Sequence, residues 1–276
     1  MLTVGVEVGP ELRFLLRPDR RDGHVEVAAA DTDTVGHVVQ MVGVPLTEVG
    51  ALRVGGRTVG SDDPLRWYAG LEAEAEAEAE AAGAADRRPV IEVPARPRPQ
   101  PVPTEPPRFL LDVHLGSLAR RLRLVGVDAA YQTDAADETL VAQAVAEQRV
   151  LLTRDRGLLF RSALPHGALV RHDRAAEQLA DVLDRFAPPL APWTRCGRCN
   201  GVLVPVAQEE VANRLEPGTR RTYDEFARCS ECRQVYWRGA HSGPLEQLVR
   251  RAEEIVARAT RNTEGYRRNS GPRCSE

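Results

Sequence analysis

Two aspartates close the two most apolar short runs of the chain: Asp112 follows Phe109-Leu110-Leu111, and Asp155 follows Val150-Leu151-Leu152-Thr153-Arg154. Burying a lone carboxylate is costly, so an acid there needs a reason, and open parallel sheets form their sites beyond the carboxyl ends of strands. Asp137 opens the intervening helical stretch, beside Asp134 and Glu138. Carboxylates gathered at one edge repel unless a cation joins them. Hard divalent ions such as Mg²⁺ or Mn²⁺ take oxygen ligands and keep several waters. Asp112, Asp137 and Asp155, with Asp134 or Glu138 assisting, would then form a centre able to activate water and steady the leaving oxygen of a phosphodiester. The structural alternatives are helix capping for Asp134 and Asp137, a turn for Asp128 and a cap for Asp173.

Four cysteines supply a second chemistry. Cys196-Gly-Arg-Cys199 and Cys229-Ser-Glu-Cys232 are two C-x₂-C units separated by 29 residues. Each such turn presents two thiolates, and four thiolates suit tetrahedral Zn²⁺. That set leaves no open position for water, which makes the zinc structural and keeps it out of catalysis. A disulfide framework is the alternative, and it needs an oxidising compartment that nothing at the N-terminus points to. His241 and His114 cannot be placed by spacing. Cys274 stands alone in a polar tail.

Arginines complete the list. Arg120, Arg121 and Arg123 share one helical stretch, and Arg154 and Arg156 flank Asp155. Guanidinium forks suit phosphate, and Arg120, Arg123 and Arg154 are the expected substrate contacts. Arg121 reads equally as part of a solvated face. Trp237 could stack on a base beside Arg238 or pack within the ribbon.

The elements that must position these groups follow from periodicity. Between 108 and 190, apolar strands alternate with amphipathic helices, the pattern of a parallel α/β/α sheet. The expected strands are 109–113, 127–133, 149–155 and 168–172. The expected helices are 115–126, 134–148 and 175–186. Residues 191–243 should form a zinc ribbon. Residues 244–260 form an amphipathic helix with Leu245, Leu248, Ala252, Ile255, Val256 and Ala259 on one side, followed by a disordered tail to 276.

Upstream, residues 1–93 read as a small α/β unit. Val4, Val6 and Val8 alternate as in a strand, 24–30 is a second strand, and a helix capped near Thr34 carries Val35, Val38, Val39 and Val42. A hairpin turns at Gly55-Gly56, and 90–93 returns as the last strand. The Glu/Ala alternation over 72–82 reads as a solvated low-complexity insertion. Residues 94–107 hold seven prolines in fourteen positions and predict a stiff, extended linker.

Charge is unevenly spread over the 276 residues: net −7 over 1–107, zero over 108–190 and +4 over 191–276. A basic rear suits an anionic partner such as nucleic acid, or attraction between domains. All 37 basic residues are arginine, which we read as a codon-level bias. No run of eighteen apolar residues exists, so no membrane span is expected, and the expected compartment is the cytoplasm.

The strand-strand-helix-strand order with a late strand resembles the ubiquitin-like β-grasp fold. The segment VGVPLTEVGALRVGGRTVG (42–60) is similar to the ubiquitin-like domain that precedes certain bacterial RNase domains, which implies a docking module with a protein partner. FLLDVHLGSLARRLRLVGVD, DAADETLVAQAVAEQRVLLTRDRGL and the later YWRGAH string resemble the PIN-like Mut-seven C-terminal RNase domain over about 108–240. That resemblance implies a ribonuclease whose acids map to Asp112, Asp137 and Asp155. Two departures stand out. The glutamate common between the first and third acids has no clear counterpart, with Asp134 as its substitute, and Gly157 occupies a position often acidic. A non-catalytic RNA-binding or ribosome-associated adaptor is therefore the alternative function, and a scaffold built on the β-grasp unit is a third.

Overall fold

A computed structural model of the chain describes residues 1–68, 89–239 and 242–269. The Glu/Ala alternation, His241 and Cys274 lie outside the described residues. The chain divides into two compact units, one of residues 1–97 with 156–162, the other of 98–155 with 163–276.

The first unit carries a five-stranded sheet in the order β2-β1-β5-β3-β4, from β1 Leu2–Val8, β2 His24–Ala29, β3 Arg53–Val54, β4 Arg57–Thr58 and β5 Val90–Val93. β1 pairs antiparallel with β2 and parallel with β5, as a β-grasp requires. Helix α1, Val35–Met41, starts at Thr34, whose Oγ1 accepts from the His37 N–H at 3.1 Å. Val35, Val38 and Val39 are buried, as are Val4, Val6 and Val8 of β1. Each valine so buried contributes about 1.5–3 kcal/mol. Gly55 and Gly56 both hold positive φ, which the two-residue turn between β3 and β4 demands. Two 3₁₀ turns, Pro10–Leu15 and Pro18–Arg20, lie between β1 and β2. Sequence periodicity does not signal them, because each begins at a proline and is too short to show a face. The 3₁₀ turn Gly157–Phe160 also belongs to this unit: Leu158 and Leu159 are buried and the Arg156 guanidinium donates to the Leu15 carbonyl.

The second unit is built on a four-stranded, all-parallel sheet in the order β7-β6-β8-β9: β6 Arg108–Leu111, β7 Asp128–Tyr131, β8 Val150–Thr153 and β9 Gly167–Leu169. Both faces are covered, so β6 and β8 are apolar at successive positions rather than at alternate ones. Phe109, Leu111, Val150 and Leu152 face helices α2 (Gly116–Leu124) and α4 (Ala175–Phe186). Helix α3, Asp137–Ala146, packs against β6 and β8 and buries Leu140, Val141 and Ala144. The strands are shorter than the sequence runs, because Asp112 and the Arg154-Asp155 pair already lie in the turns that follow.

A three-stranded antiparallel ribbon follows, in the order β10-β11-β12: β10 Leu203–Val206, β11 Phe226–Cys229 and β12 Val235–Trp237. Its excursion holds two short helices, α5 Gln208–Val211 and α6 Pro217–Thr222. The last helix, α7, Ser242–Asn269, packs on α4, with Ala252, Ile255 and Ala259 buried.

The proline-rich stretch is not a free-standing spacer. Pro94 accepts from the Gly50 N–H at 2.8 Å and Arg96 donates to Glu48 at 3.0 Å within the first unit. From Arg98 onward it lies on the second unit, where Arg98 pairs with Asp184 at 2.6 Å and buried Gln100 donates its N–H to Arg185 at 2.6 Å. Proline rings are apolar, and the amides left between them find carbonyls, so the segment gains more by packing than by solvation.

Candidate carboxylate and thiolate sites

Parallel neighbours β6 and β8 end side by side, with Leu111 beside Leu152. Asp112 therefore leaves β6 next to the Thr153-Arg154-Asp155 turn. Asp112 is 4% exposed, and its carboxylate is tightly held. Oδ1 accepts from the His114 N–H at 3.0 Å, capping the 3₁₀ turn Val113–Leu115. Oδ2 accepts from the Arg154 N–H at 2.9 Å and from the hydroxyl of Thr153, which is fully buried. The same hydroxyl accepts from the Asp155 N–H at 2.8 Å. Thr153 thus couples the two acids, with its O–H toward Asp112 and its lone pair toward the Asp155 amide. Asp155 itself is exposed.

On the other side, β7 ends at Tyr131, whose hydroxyl donates to the Val113 carbonyl at 2.9 Å and ties the loop after β6 to the neighbouring strand. The chain then enters α3 through Asp134, Asp137 and Glu138, all exposed. Ala136 is the cap residue of α3, with no side-chain bond, so neither Asp134 nor Asp137 serves as the N-cap. The topology brings these acids to one sheet edge. The side chains are not clustered there: among the described residues, the four cysteines form the one group of three or more metal-ligating side chains whose ligand atoms all lie within 4.8 Å of one another.

The arginines fare differently from one another. Arg154 pairs with Asp173 at 2.5 Å, and Asp173 is 87% exposed. Arg120 is exposed. Arg123, expected to meet substrate, is buried instead: Nε donates to Ala129 at 2.8 Å and Nη1 to Arg198 at 2.9 Å. Its fork is used up on main-chain carbonyls of β7 and of the first cysteine turn, so it holds the ribbon to the sheet. Sequence spacing could not separate it from Arg120 or Arg121, because only the tertiary partner decides which arginine of a helix is covered. Trp237 lines a ribbon cavity of about 390 Å³ with Trp193, Tyr236 and Arg238, and the Arg238 guanidinium sits 5.2 Å from the Trp193 ring centre.

The cysteine cluster closes tightly. Cys196 and Cys232 sulfurs are 3.6 Å apart, and those of Cys199 and Cys229 are 3.4 Å apart. Four sulfurs about 2.3 Å from a tetrahedral ion would lie about 3.8 Å from each other, so the set fits Zn²⁺ and is far too open for disulfides. Both turns end on a left-handed residue, Asn200 at φ 72° and Arg233 at φ 62°. A Cβ on Gly201 would meet the Cys229 sulfur at 2.8 Å, so only glycine lets the first turn close on the second. Tyr236 donates its hydroxyl to the Cys196 sulfur at 3.0 Å. Burial pushes the Cys196 thiol up, but the Tyr236 hydroxyl and the amides of Cys199 and Arg198 outweigh it and lower it to about 6.

One group was missed by sequence reasoning. Asp128 is the first residue of β7, not a turn residue, and is an ionic hub with a side chain 15% exposed. It pairs with Arg149 at 2.6 Å, Arg195 at 3.2 Å and Arg108 at 3.6 Å, and accepts from the Asn200 amide at 2.8 Å. Burial raises its carboxyl, yet bonds from Arg149 and Asn200 prevail and hold it below the usual range. This hub lies at the amino edge of the sheet, opposite the Asp112 edge, and it fastens the first cysteine turn there. The only signal in the sequence was an acid within a stretch whose neighbours alternate poorly.

The comparisons agree with this architecture. Residues 107–249 match the Mut7-C RNAse domain and residues 1–66 match the Mut7-C ubiquitin domain. The first match covers more than half of the chain, which therefore belongs to the Mut7-C RNAse domain family. No curated protein and no solved structure matches the chain significantly. No helix among the described residues is long and apolar enough to cross a membrane.

Proposed function

We propose that the chain is a metal-dependent ribonuclease acting from the carboxyl edge of the parallel sheet. The observation that carries this reading is the junction of Asp112 and Asp155 through Thr153 at the ends of adjacent strands. Asp112, Asp137 and Asp155 would hold Mg²⁺ or Mn²⁺, with Asp134 and Glu138 beside them. Such an ion usually keeps several waters and needs only one or two carboxylates, so the acids need not touch one another. When bound, it supplies an activated water and charge stabilisation for phosphodiester hydrolysis. The chain's own part is positional. Buried donors fix Asp112, Thr153 sets the turn that presents Asp155, and Tyr131 anchors the loop that follows Asp112. Arg154 faces solvent in an ion pair of small value, so a substrate phosphate can take its guanidinium from Asp173. Arg120 and Trp237 are further substrate contacts, and Arg123 is not. Zn²⁺ in the four cysteines is structural, and thiolates of this kind persist in a reducing cytoplasm. The ubiquitin-like unit would receive a protein partner.

The test is cleavage of end-labelled single-stranded RNA with Mn²⁺. Activity is expected to vanish with EDTA and to fall about 100-fold in Asp155→Asn. Cleavage unchanged by that substitution removes the site assignment. The adaptor reading keeps one specific support, since Asp112 is already satisfied by three protein donors and the three acids are not drawn together. Binding of RNA without any cleavage by the native protein would favour it.

A further inference from the structure

The second unit has a cleft away from the carboxylates. It has a volume of about 380 Å³ and is lined by Arg120 and Leu124 of α2, Gly197 and Arg198 of the first cysteine turn, and Gln234 and Tyr236 beside the second. No lining residue is acidic. Elsewhere on this unit Arg149, Arg154, Arg195 and Arg228 each pair with a carboxylate. Arg120 and Arg198 pair with none among the described residues, and both are exposed.

Arg120 and Arg198 thus line one concave surface whose lining holds no carboxylate, an arrangement that draws an anion. The cleft is also built rather than incidental. The stem of Arg120 runs over the cysteine turn, its Cγ 3.9 Å from where a Gly197 Cβ would stand. Directly beneath, Arg123 clamps the carbonyls of Gly197 and Arg198, so the turn carrying Arg198 cannot drift from the helix carrying Arg120. The Tyr236 hydroxyl, engaged with Cys196, fixes the side of the cleft next to the metal centre.

We infer that this cleft binds a backbone phosphate of a single-stranded RNA, gripped by the Arg120 and Arg198 forks. The inference rests on the ribonuclease reading and extends it. The first cysteine turn is docked at the amino edge of the sheet through Asn200 and Asp128. The carboxylates lie at the other edge, one strand length away, roughly 13 Å for four residues. The gripped phosphate is therefore not the one that is cut but one farther along the strand. The zinc turn acts on the substrate by position, as it carries Arg198 between its two ligands.

The experiment uses the full zinc-loaded chain and a fluorescein-labelled RNA dodecamer in Ca²⁺. Anisotropy is read from about 50 to about 200 mM NaCl, the range over which phosphate contacts show their salt dependence. Arg120→Gln with Arg198→Gln is expected to weaken binding about 10-fold at the lowest salt. The slope of log affinity against log salt should flatten by about 0.7, the value of one single-strand phosphate contact. Arg121→Gln, on the same helix but outside the cleft, should change neither, and zinc content should be equal in all variants. Native affinity and slope in the double variant overturn the inference, and so do equal losses in Arg121→Gln or a native protein that does not bind the oligonucleotide. Mn²⁺ cleavage that persists beside an unchanged slope removes this cleft alone. A flattened slope with no cleavage by the native chain removes the ribonuclease reading alone.

Discussion

The thiolate cluster and the carboxylate edge are both sets of like-charged side chains, yet the chain treats them in opposite ways. Each C-x₂-C pair is local, delivered by one turn, and the two turns meet with sulfurs 3.4–3.6 Å apart. The acids come from two strand ends and the start of α3, and the only one of the three that is buried, Asp112, is held by protein donors. A tight centre draws its geometry from short-range turns, whereas an open one is an edge that the fold assembles and leaves adjustable. Under the proposed function, that would divide a metal that holds the fold from one that does chemistry.

The sharpest way to break the comparison is to remove a thiolate. Cys199→Ser should abolish stoichiometric zinc and open residues 194–239 to hydrogen exchange, because such a site supplies folding energy directly. Amides of β6 and β8 should stay protected, and a sheet that opens together with the ribbon would mean that the two regions are not separate. A smaller effect is expected at the hub between them. Asp128→Asn should cost about 3 kcal/mol at pH 7, the usual loss when a buried ion pair is broken. Because the native carboxyl is held below its ordinary 3.8, its stabilisation is present above that value. It is lost as pH falls through the lower, folded one. Urea melts over pH 2–7 should therefore show the variant and native curves converging at the acid end. The smallest stability change is expected at the carboxylate edge, where Thr153→Val removes a buried hydroxyl and its two bonds, to Asp112 and from the Asp155 amide, together worth about 1–2 kcal/mol. Cleavage should nevertheless fall about 10-fold or more, since the turn presenting Asp155 loses its anchor. Equal cleavage in that variant would show that Thr153 does not position the acid.

The fold was legible to different depths in its parts. Strands β6 and β8, helix α4 and the valine-rich α1 announced themselves through apolar runs and periodicity, and the cysteine spacing announced the cluster. Asp112 stood out because an acid after three apolar residues has few inexpensive roles. What did not show was pairing across the chain. That Arg123 would be covered while Arg120 stayed open depends on residues 197–200, more than seventy positions away. The same holds for Asp128, whose partners Arg149 and Arg195 are remote in sequence. The proline stretch misled for another reason: composition specifies its stiffness but not the apolar surface available to it.

The outer rim of the parallel sheet at β7 has an unusual guard. Asn200 takes the Ala129 N–H at 3.0 Å and Arg123 takes its carbonyl at 2.8 Å, so both main-chain groups turned away from β6 are occupied. An unprotected border strand invites a foreign strand to add on. Here that invitation is withdrawn by a loop whose shape is set by thiolates. Closure of that border is therefore tied to the shape of the loop between the first cysteine pair and β10, which supplies Asn200.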